Sequence, residues 1–221
     1  MKFIPLGLQC STPAGIRNAN MCEYSYPFDW MITPSKTTYI ILKILFENGV
    51  EDAVNCMITN NKSYKDNLNN KHYELTNYAT NLLINKKTGL ANIHFKINHK
   101  FKTKLKLRFE RLLTDVKSNH KILFIYADAP NSNINYYLDG KKYGKNATKY
   151  LLKIHKLIYP FNNNIEFVYF CWNKRVKHFN LIKYIAFEYQ KQWEDVADII
   201  KNYLIKNYPD CQLSDTYSNN F

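Results

Sequence analysis

Apolar residues fall into two kinds of stretch along the chain. Some form short unbroken runs; others recur every three or four positions. The first run, KFIPLGL at residues 2–8, reads as a short buried strand. In the CSTPAGIRNA stretch that follows, Ser11 or Thr12 can cap a helix with Pro13 in its first turn. An irregular aromatic segment, YPFDW, comes next. Thr33-Pro34 opens a second helix through YIILKILF, closed at Asn48-Gly49, and its nearly all-round apolar surface predicts a central, buried helix. Residues 51–78 are polar and rich in Asn and Lys, and no element is assigned to them. ATNLLIN and LANIHFKI flank KKTG within residues 80–97, which predicts a β-hairpin. Residues 51–100 thus read as an insertion or subdomain.

The second half alternates more regularly. Residues 102–117 place Leu105, Phe109, Leu112, Leu113 and Val116 on one helical face. Lys104, Arg108, Arg111 and Lys117 lie largely outside it and are expected to form a solvated basic face. KILFIYAD and IEFVYFCW read as fully buried strands on either side of a helix at 146–159, and LIKYIAFEY as a third strand. A last helix carries Trp193, Val196, Ala197, Ile200, Tyr203 and Leu204 on one face. Glu194 and Asp195 sit at its positive end and Pro209 lies just beyond it. Buried strands alternating with helices predict a single α/β domain over residues 1–221, with a largely parallel central sheet flanked by helices plus a β-hairpin insertion. No internal repeat or linker is visible.

Composition narrows the function classes. The 221 residues include 18 Tyr, 13 Phe and 3 Trp, enough burial to argue against disorder. No apolar run reaches the ~18–20 residues that cross a bilayer, and the first residues form no convincing signal peptide, so a cytoplasmic protein without a membrane partner is expected. The formal charge of +13 favours nonspecific attraction to polyanions. However, only four of the 31 basic residues are Arg (Arg17, Arg108, Arg111, Arg175), and Asn numbers 28. Lys, Asn, Ile and Tyr rising together is the imprint of an AT-rich genome, and a dedicated phosphate or base reader favours Arg. Five widely spaced cysteines without a CxxC pair argue against a disulfide framework and against a structural metal site. No cofactor is called for.

Reactive groups in open α/β sheets collect where strands end and helices begin. Cys10 occupies such a junction, where unpaired amides and the helix dipole would stabilise a thiolate and could donate to an oxyanion. Asp29, between Phe28 and Trp30, is a carboxylate in apolar surroundings that needs a partner, and Arg17 or Arg108 could supply it. Gly140-Lys-Lys-Tyr-Gly144-Lys145-Asn146 is one residue short of a phosphate-binding loop and has Asn where Ser or Thr should ligate magnesium.

Gly7-x-x-Cys10-x-x-x-Ala14-x-x-Arg17, followed by Ser25-Tyr-Pro27-Phe28-Asp29-Trp30, resembles the opening of the putative papain-like cysteine peptidases, a family of unknown function spread through bacteria and large DNA viruses. LRFERLL before KILFIYAD resembles that family's basic helix leading into a buried strand. The resemblance implies a cysteine-dependent hydrolase acting on peptide-like substrates, with Cys10 as nucleophile. It implies a histidine base, His94 in the IHF motif with His99 as the alternative, and Asp29 as the orienting carboxylate. Gln9 would donate to the oxyanion as a Gln does in papain-like enzymes, with Ser11 and Arg17 in support. Two other classes stay open: a non-catalytic α/β interaction protein of viral type, and a transferase holding nucleotide or sugar phosphates.

Overall fold

The computed structural model describes residues 1–8, 10–58, 61–63, 83–85, 90–92, 98–128, 137–138, 141–142, 147–171, 179–187 and 193–213. Strand β1 (Lys2–Pro5) leads into α1 (Ser11–Asn18), then β2 (Met31–Ile32), α2 (Ser35–Asn48) and α3 (Val50–Ile58). Three short strands follow, β3 (Asn61–Ser63), β4 (Leu83–Asn85) and β5 (Ala91–Asn92), before α4 (His99–Lys117) and β6 (Ile122–Ala127). The rest comprises β7 (Tyr137–Leu138), β8 (Lys141–Lys142), α5 (Ala147–Ile158), β9 (Ile165–Cys171), β10 (Lys183–Ala186) and α6 (Trp193–Asn207).

The main sheet has the order β1-β6-β9-β10, and every neighbouring pair is parallel. All six residues of β6 are buried, as its unbroken ILFIYA run requires of a strand covered on both faces. Alternate residues serve the two faces. Ile122, Phe124 and Tyr126 join Phe167 and Tyr169 under α2, α3, α4 and α5. Leu123, Ile125 and Ala127 join Val168 and Phe170 under α1 and α6. The result is a three-layer α/β arrangement with helices on both sides of a parallel sheet. A second sheet, β2-β5-β4-β3, is antiparallel, and its β4–β5 pair is the hairpin expected from residues 80–97.

Several expectations need correction. The apolar surface of α2 suggested burial all round, yet only Ser35, Thr37, Thr38, Ile41, Leu42 and Leu45 are buried, so α2 is an outer-layer helix. Its second apolar stripe rests on aromatic neighbours: Tyr39 lies 6.0 Å from Tyr150, and Phe46 stacks on Phe161 at 4.9 Å. Trp193 is exposed, because it begins α6 before the packed face of Val196, Ile200 and Leu204 starts. Neither Ser11 nor Thr12 caps α1. The N-cap position is Cys10, without a side-chain cap bond, and the Thr12 hydroxyl turns back to the Gly7 carbonyl at 3.1 Å.

Helix α1 ends in a Schellman turn. Asn20 adopts φ 57°, the Asn20 amide donates to the Arg17 carbonyl at 2.8 Å, and Met21 donates to Ile16 at 3.1 Å. Within α1, Gly15 is the point of closest approach to α6. A Cβ there would lie 2.6 Å from Ile200 Cβ and 2.8 Å from the Ala197 carbonyl oxygen. Gly15→Ala should therefore destabilise the protein by about 1–3 kcal/mol, overpacking outweighing the ~1 kcal/mol gain in helix propensity. Urea denaturation checks this, and a midpoint equal to or above wild type would show that α1 and α6 can separate without cost.

Candidate active site

The turn after β1 is held from four directions. Leu6 and Leu8 donate to the carbonyls of Ile125 (2.9 Å) and Ala127 (3.2 Å), extending the β1–β6 ladder beyond the strand. Thr33 donates its amide to Leu8 at 3.1 Å, and the Thr38 hydroxyl donates to Leu6 at 2.8 Å. Gly7 has φ 104°, and a Cβ there would sit 2.4 Å from the Thr33 carbonyl oxygen. Only glycine fits a turn pressed this tightly against the next strand. Cys10 is therefore delivered to the carboxyl edge of the sheet by a rigid turn.

Cys10 has helical backbone angles (φ −61°, ψ −21°) and its carbonyl accepts from Ala14 at 3.0 Å, so it starts α1. The first-turn amides of Ser11 and Thr12 have no intrahelical acceptor, and Pro13 has no amide. Cys10 is half-buried, and burial pushes its thiol up to about 11, only partly offset by its own backbone amide. The low-pKa thiolate expected at this helix end is thus not what the described surroundings produce; desolvation outweighs the dipole. The buried Ser11 hydroxyl has no hydrogen-bond partner among the described residues.

Sequence reasoning passed over a second group at the same edge. Asp128 follows β6 directly, is buried, donates its amide to Phe170 (2.9 Å) and accepts from the Tyr169 hydroxyl at 2.7 Å. Tyr126, Tyr169 and Tyr184 stand side by side across β6, β9 and β10, with ring centroids 5.5 and 5.9 Å apart. The Ser35 amide at the start of α2 donates to the Tyr126 oxygen at 3.2 Å. Burial, and secondarily the Asp128 charge, pushes the Cys171 thiol up to about 11. The signal was present in the sequence: an Asp closing a fully apolar run is a charge at a strand end.

Asp29 belongs to a different cluster. Residues 19–34 pass from the α1/α6 layer, where Ala19 and Met21 pack, to the opposite layer, where Tyr26, Phe28, Met31 and Ile32 pack. They do so around β1, an edge strand of the sheet. Asp29 is fully buried on this path, and Arg17 Nη2 lies 3.9 Å from its Oδ2. Arg108 and Arg111 of α4 also favour its charged form, yet complete burial dominates and pushes the Asp29 carboxyl up to about 7. Arg17 donates to the Ser25 hydroxyl at 3.0 Å, and Arg111 donates to the Ser25 carbonyl at 2.8 Å. The solvated basic face expected for α4 is thereby corrected: Lys104 and Lys117 are exposed, but Arg108 and Arg111 turn inward.

Of the residues expected at the site, Gln9 and His94 lie outside the described residues, as do Gly140, Gly144, Lys145 and Asn146 of the motif that falls one residue short of a phosphate-binding loop. His99 is the exposed first residue of α4. Because α4 ends only four residues before β6, it runs antiparallel to that strand. Its 19 residues span ~28 Å, which carries His99 toward the carboxyl edge where Cys10 sits. Asp29 and Arg17 are brought together, but at the far end of α1 from Cys10. Among the described residues no three His, Cys, Asp or Glu side chains gather as a metal site, and no helix is long and apolar enough to cross a membrane.

Residues 1–136 match the family described as putative papain-like cysteine peptidase, and the chain belongs to that family. The matched region runs from β1 through β6 and includes Cys10, the 25–30 segment and Asp128; α5, β9, β10 and α6 lie beyond it. No curated protein and no solved structure matches the chain.

The Asp29 cluster makes a signed prediction. A carboxyl whose folded value is raised binds its proton in the folded state while the unfolded chain has already released it. Its contribution to stability therefore falls as pH rises from about 4 to about 7. The difference in melting temperature between wild type and Asp29→Asn should shift in favour of wild type as pH is lowered from 8 to 5. A difference independent of pH would mean that Asp29 stays ionised throughout.

Proposed function

We propose that this family member is a cysteine-dependent hydrolase acting on amide, ester or thioester carbonyls of peptide-like substrates, with Cys10 as nucleophile. The observation that carries this reading is the position of Cys10: half-buried, at the N-terminal end of α1, on a turn fixed to the carboxyl edge of a parallel sheet. Membership of a peptidase-like family supports it.

In this scheme the Cys10 thiol attacks the carbonyl carbon while a histidine takes its proton. His94 is our first choice for that base and His99 the alternative. The Ser11 and Thr12 amides donate to the oxyanion of the tetrahedral intermediate, with the Gln9 side chain as a further donor. Collapse returns the proton to the leaving group, and water then hydrolyses the acyl-enzyme by the same base. A thiol held near 11 is protonated at neutral pH, so deprotonation accompanies attack rather than preceding it. Asp29 and Arg17 serve this site by bracing α1 from its other end. Asp128 is the carboxylate at the sheet edge itself and the better candidate to orient an imidazole there.

A second reading, a non-catalytic interaction protein on the same scaffold, is favoured by the raised Cys10 thiol, since a buried neutral cysteine is an inert one.

Hydrolysis of a panel of fluorogenic peptide amides and aryl esters tests the proposal. Cys10→Ala should abolish turnover, and His94→Ala should lower kcat by roughly 10²–10⁴-fold. If His99→Ala produces that loss instead, the alternative base is the right one. Turnover that survives Cys10→Ala removes the hydrolase reading. In the substrate-free protein, iodoacetamide should modify Cys10 slowly at pH 8, and the rate should climb with pH toward 11. Fast modification at pH 7 would reveal a preformed thiolate.

A further inference from the structure

Helix α4 carries a second stripe beside the one that packs into the core. Phe101, Leu105, Phe109, Leu112 and Val116 are its buried side. Lys100, Lys104, Leu107 and Arg111 recur at intervals of four, three and four residues, so they too line one side of the helix. This stripe begins in water: Lys100, Lys104 and Leu107 are exposed, Leu107 at 54%. It ends at Arg111, which donates to the Ser25 carbonyl and lies 4.4 Å from the centre of the exposed Tyr24 ring. By helical rise it is ~16 Å long.

Electrostatics within the helix opposes this placement. Lys100, Lys102, Lys104 and Lys106 crowd the opening of α4, and no acidic residue stands in its first turn. A helix N-terminus is its positive end, and like charges four residues apart repel. Helices α3 and α6 begin with the favourable sign, Glu51–Asp52 and Glu194–Asp195. The fold compensates one lysine pair of α4: Glu51 of α3 bridges Lys102 at 2.7 Å and Lys106 at 3.9 Å. Lys100 and Lys104 have the same spacing, yet neither makes an ion pair among the described residues. Base composition explains how many lysines the chain carries. It does not explain two unanswered ones at the positive end of a helix, on the same stripe as an exposed leucine.

We propose that Lys100, Lys104 and Leu107, with Tyr24 at the far end, form a docking surface for an acidic segment of a partner protein. A partner carboxylate bridges Lys100 and Lys104 as Glu51 bridges Lys102 and Lys106, and an apolar partner side chain covers Leu107. A polyphosphate backbone fits less well, because it leaves Leu107 uncovered and meets the exposed Glu110 on the adjoining stripe. So small a surface belongs to the weak, transient class of interfaces. It is independent of the hydrolase reading.

The test is fluorescence anisotropy of a labelled peptide bearing glutamates four residues apart and a leucine three residues beyond, titrated with the full chain at physiological ionic strength. Saturable binding is expected. Lys100→Glu should weaken it at least tenfold and Leu107→Ser at least threefold. Lys149→Glu, the same change of charge on an exposed lysine of α5, should leave the affinity nearly unchanged. Lys100→Glu should also raise the melting temperature, since it places an acid in the first turn and pairs it with Lys104. Stability gained as binding is lost marks a residue kept for a partner. Four results overturn the proposal. The peptide does not bind saturably. Lys149→Glu weakens it as much as Lys100→Glu, so that net charge alone attracts it. A DNA duplex of equal charge binds more tightly, which makes the stripe a nucleic-acid surface. Lys100→Glu lowers the melting temperature, which makes Lys100 a support of the fold.

Discussion

Everything in this molecule is arranged around the burial of β6. A strand of six consecutive buried residues satisfies its amides and carbonyls only by pairing on both sides, and hides both rows of side chains only under two layers of helix. That requirement brings β1 and β9 alongside it in parallel. Parallel pairing in turn requires crossovers, which place α1 and α6 on one face and α2 to α5 on the other. The ladder continues past the end of β1 through Leu6 and Leu8, so the turn bearing Cys10 is an extension of the core rather than a surface loop. Rigidity at Cys10 is a consequence of burial at Ile125 and Ala127.

The same constraint explains the most distinctive stretch of the sequence. An edge strand beside a fully buried one exposes unpaired backbone and needs cover. Residues 19–34 supply it by running around β1 from one layer to the other. Their aromatic side chains anchor the path: Tyr26 reaches Asp115, and Phe28 meets Phe109 edge-on at 6.3 Å. Asp29 then links α1 to α4 through arginines from each. On this view the Ser25–Trp30 motif is first a structural clamp. It meets α1 at Arg17, the end of the helix opposite Cys10.

Much of this was legible because the dominant signals are local. Unbroken apolar runs gave β6 and β9, period-3.6 spacing gave α4 and α6, and an apolar pair of stretches around KKTG gave the hairpin. Failures arose where a residue's neighbours come from distant sequence. The apolar surface of α2 could not reveal that its second stripe would meet aromatic side chains rather than a second core. Arg108 was expected both on a wet face and as a partner for Asp29, and the fold bears out the second, whereas nothing in α4 itself announces that Arg111 meets the Ser25 carbonyl. Tyr126 and Tyr169 were read only as members of buried strands, although the pairing of β6 with β9 sets them side by side and the Tyr169 hydroxyl reaches Asp128. The position of Cys10 at a strand-to-helix junction was read correctly; its protonation was not, since desolvation depends on packing that spacing does not report.

That last discrepancy bears on the chemistry. A helix N-terminus can stabilise negative charge on whatever occupies it, and a thiolate and an oxyanion compete for the same amides. On the proposed hydrolase reading, a neutral, half-buried thiol would leave the Ser11 and Thr12 donors for the charge that develops on the substrate. A neutral nucleophile demands a base at the moment of attack, and its proton must travel the few ångströms from sulfur to imidazole as the carbon–sulfur bond forms. Binding a substrate would exclude further water, which strengthens those donors while making a separated thiolate still costlier. A raised thiol is therefore compatible with cysteine chemistry on this scaffold, provided that an imidazole reaches the carboxyl edge alongside Cys10.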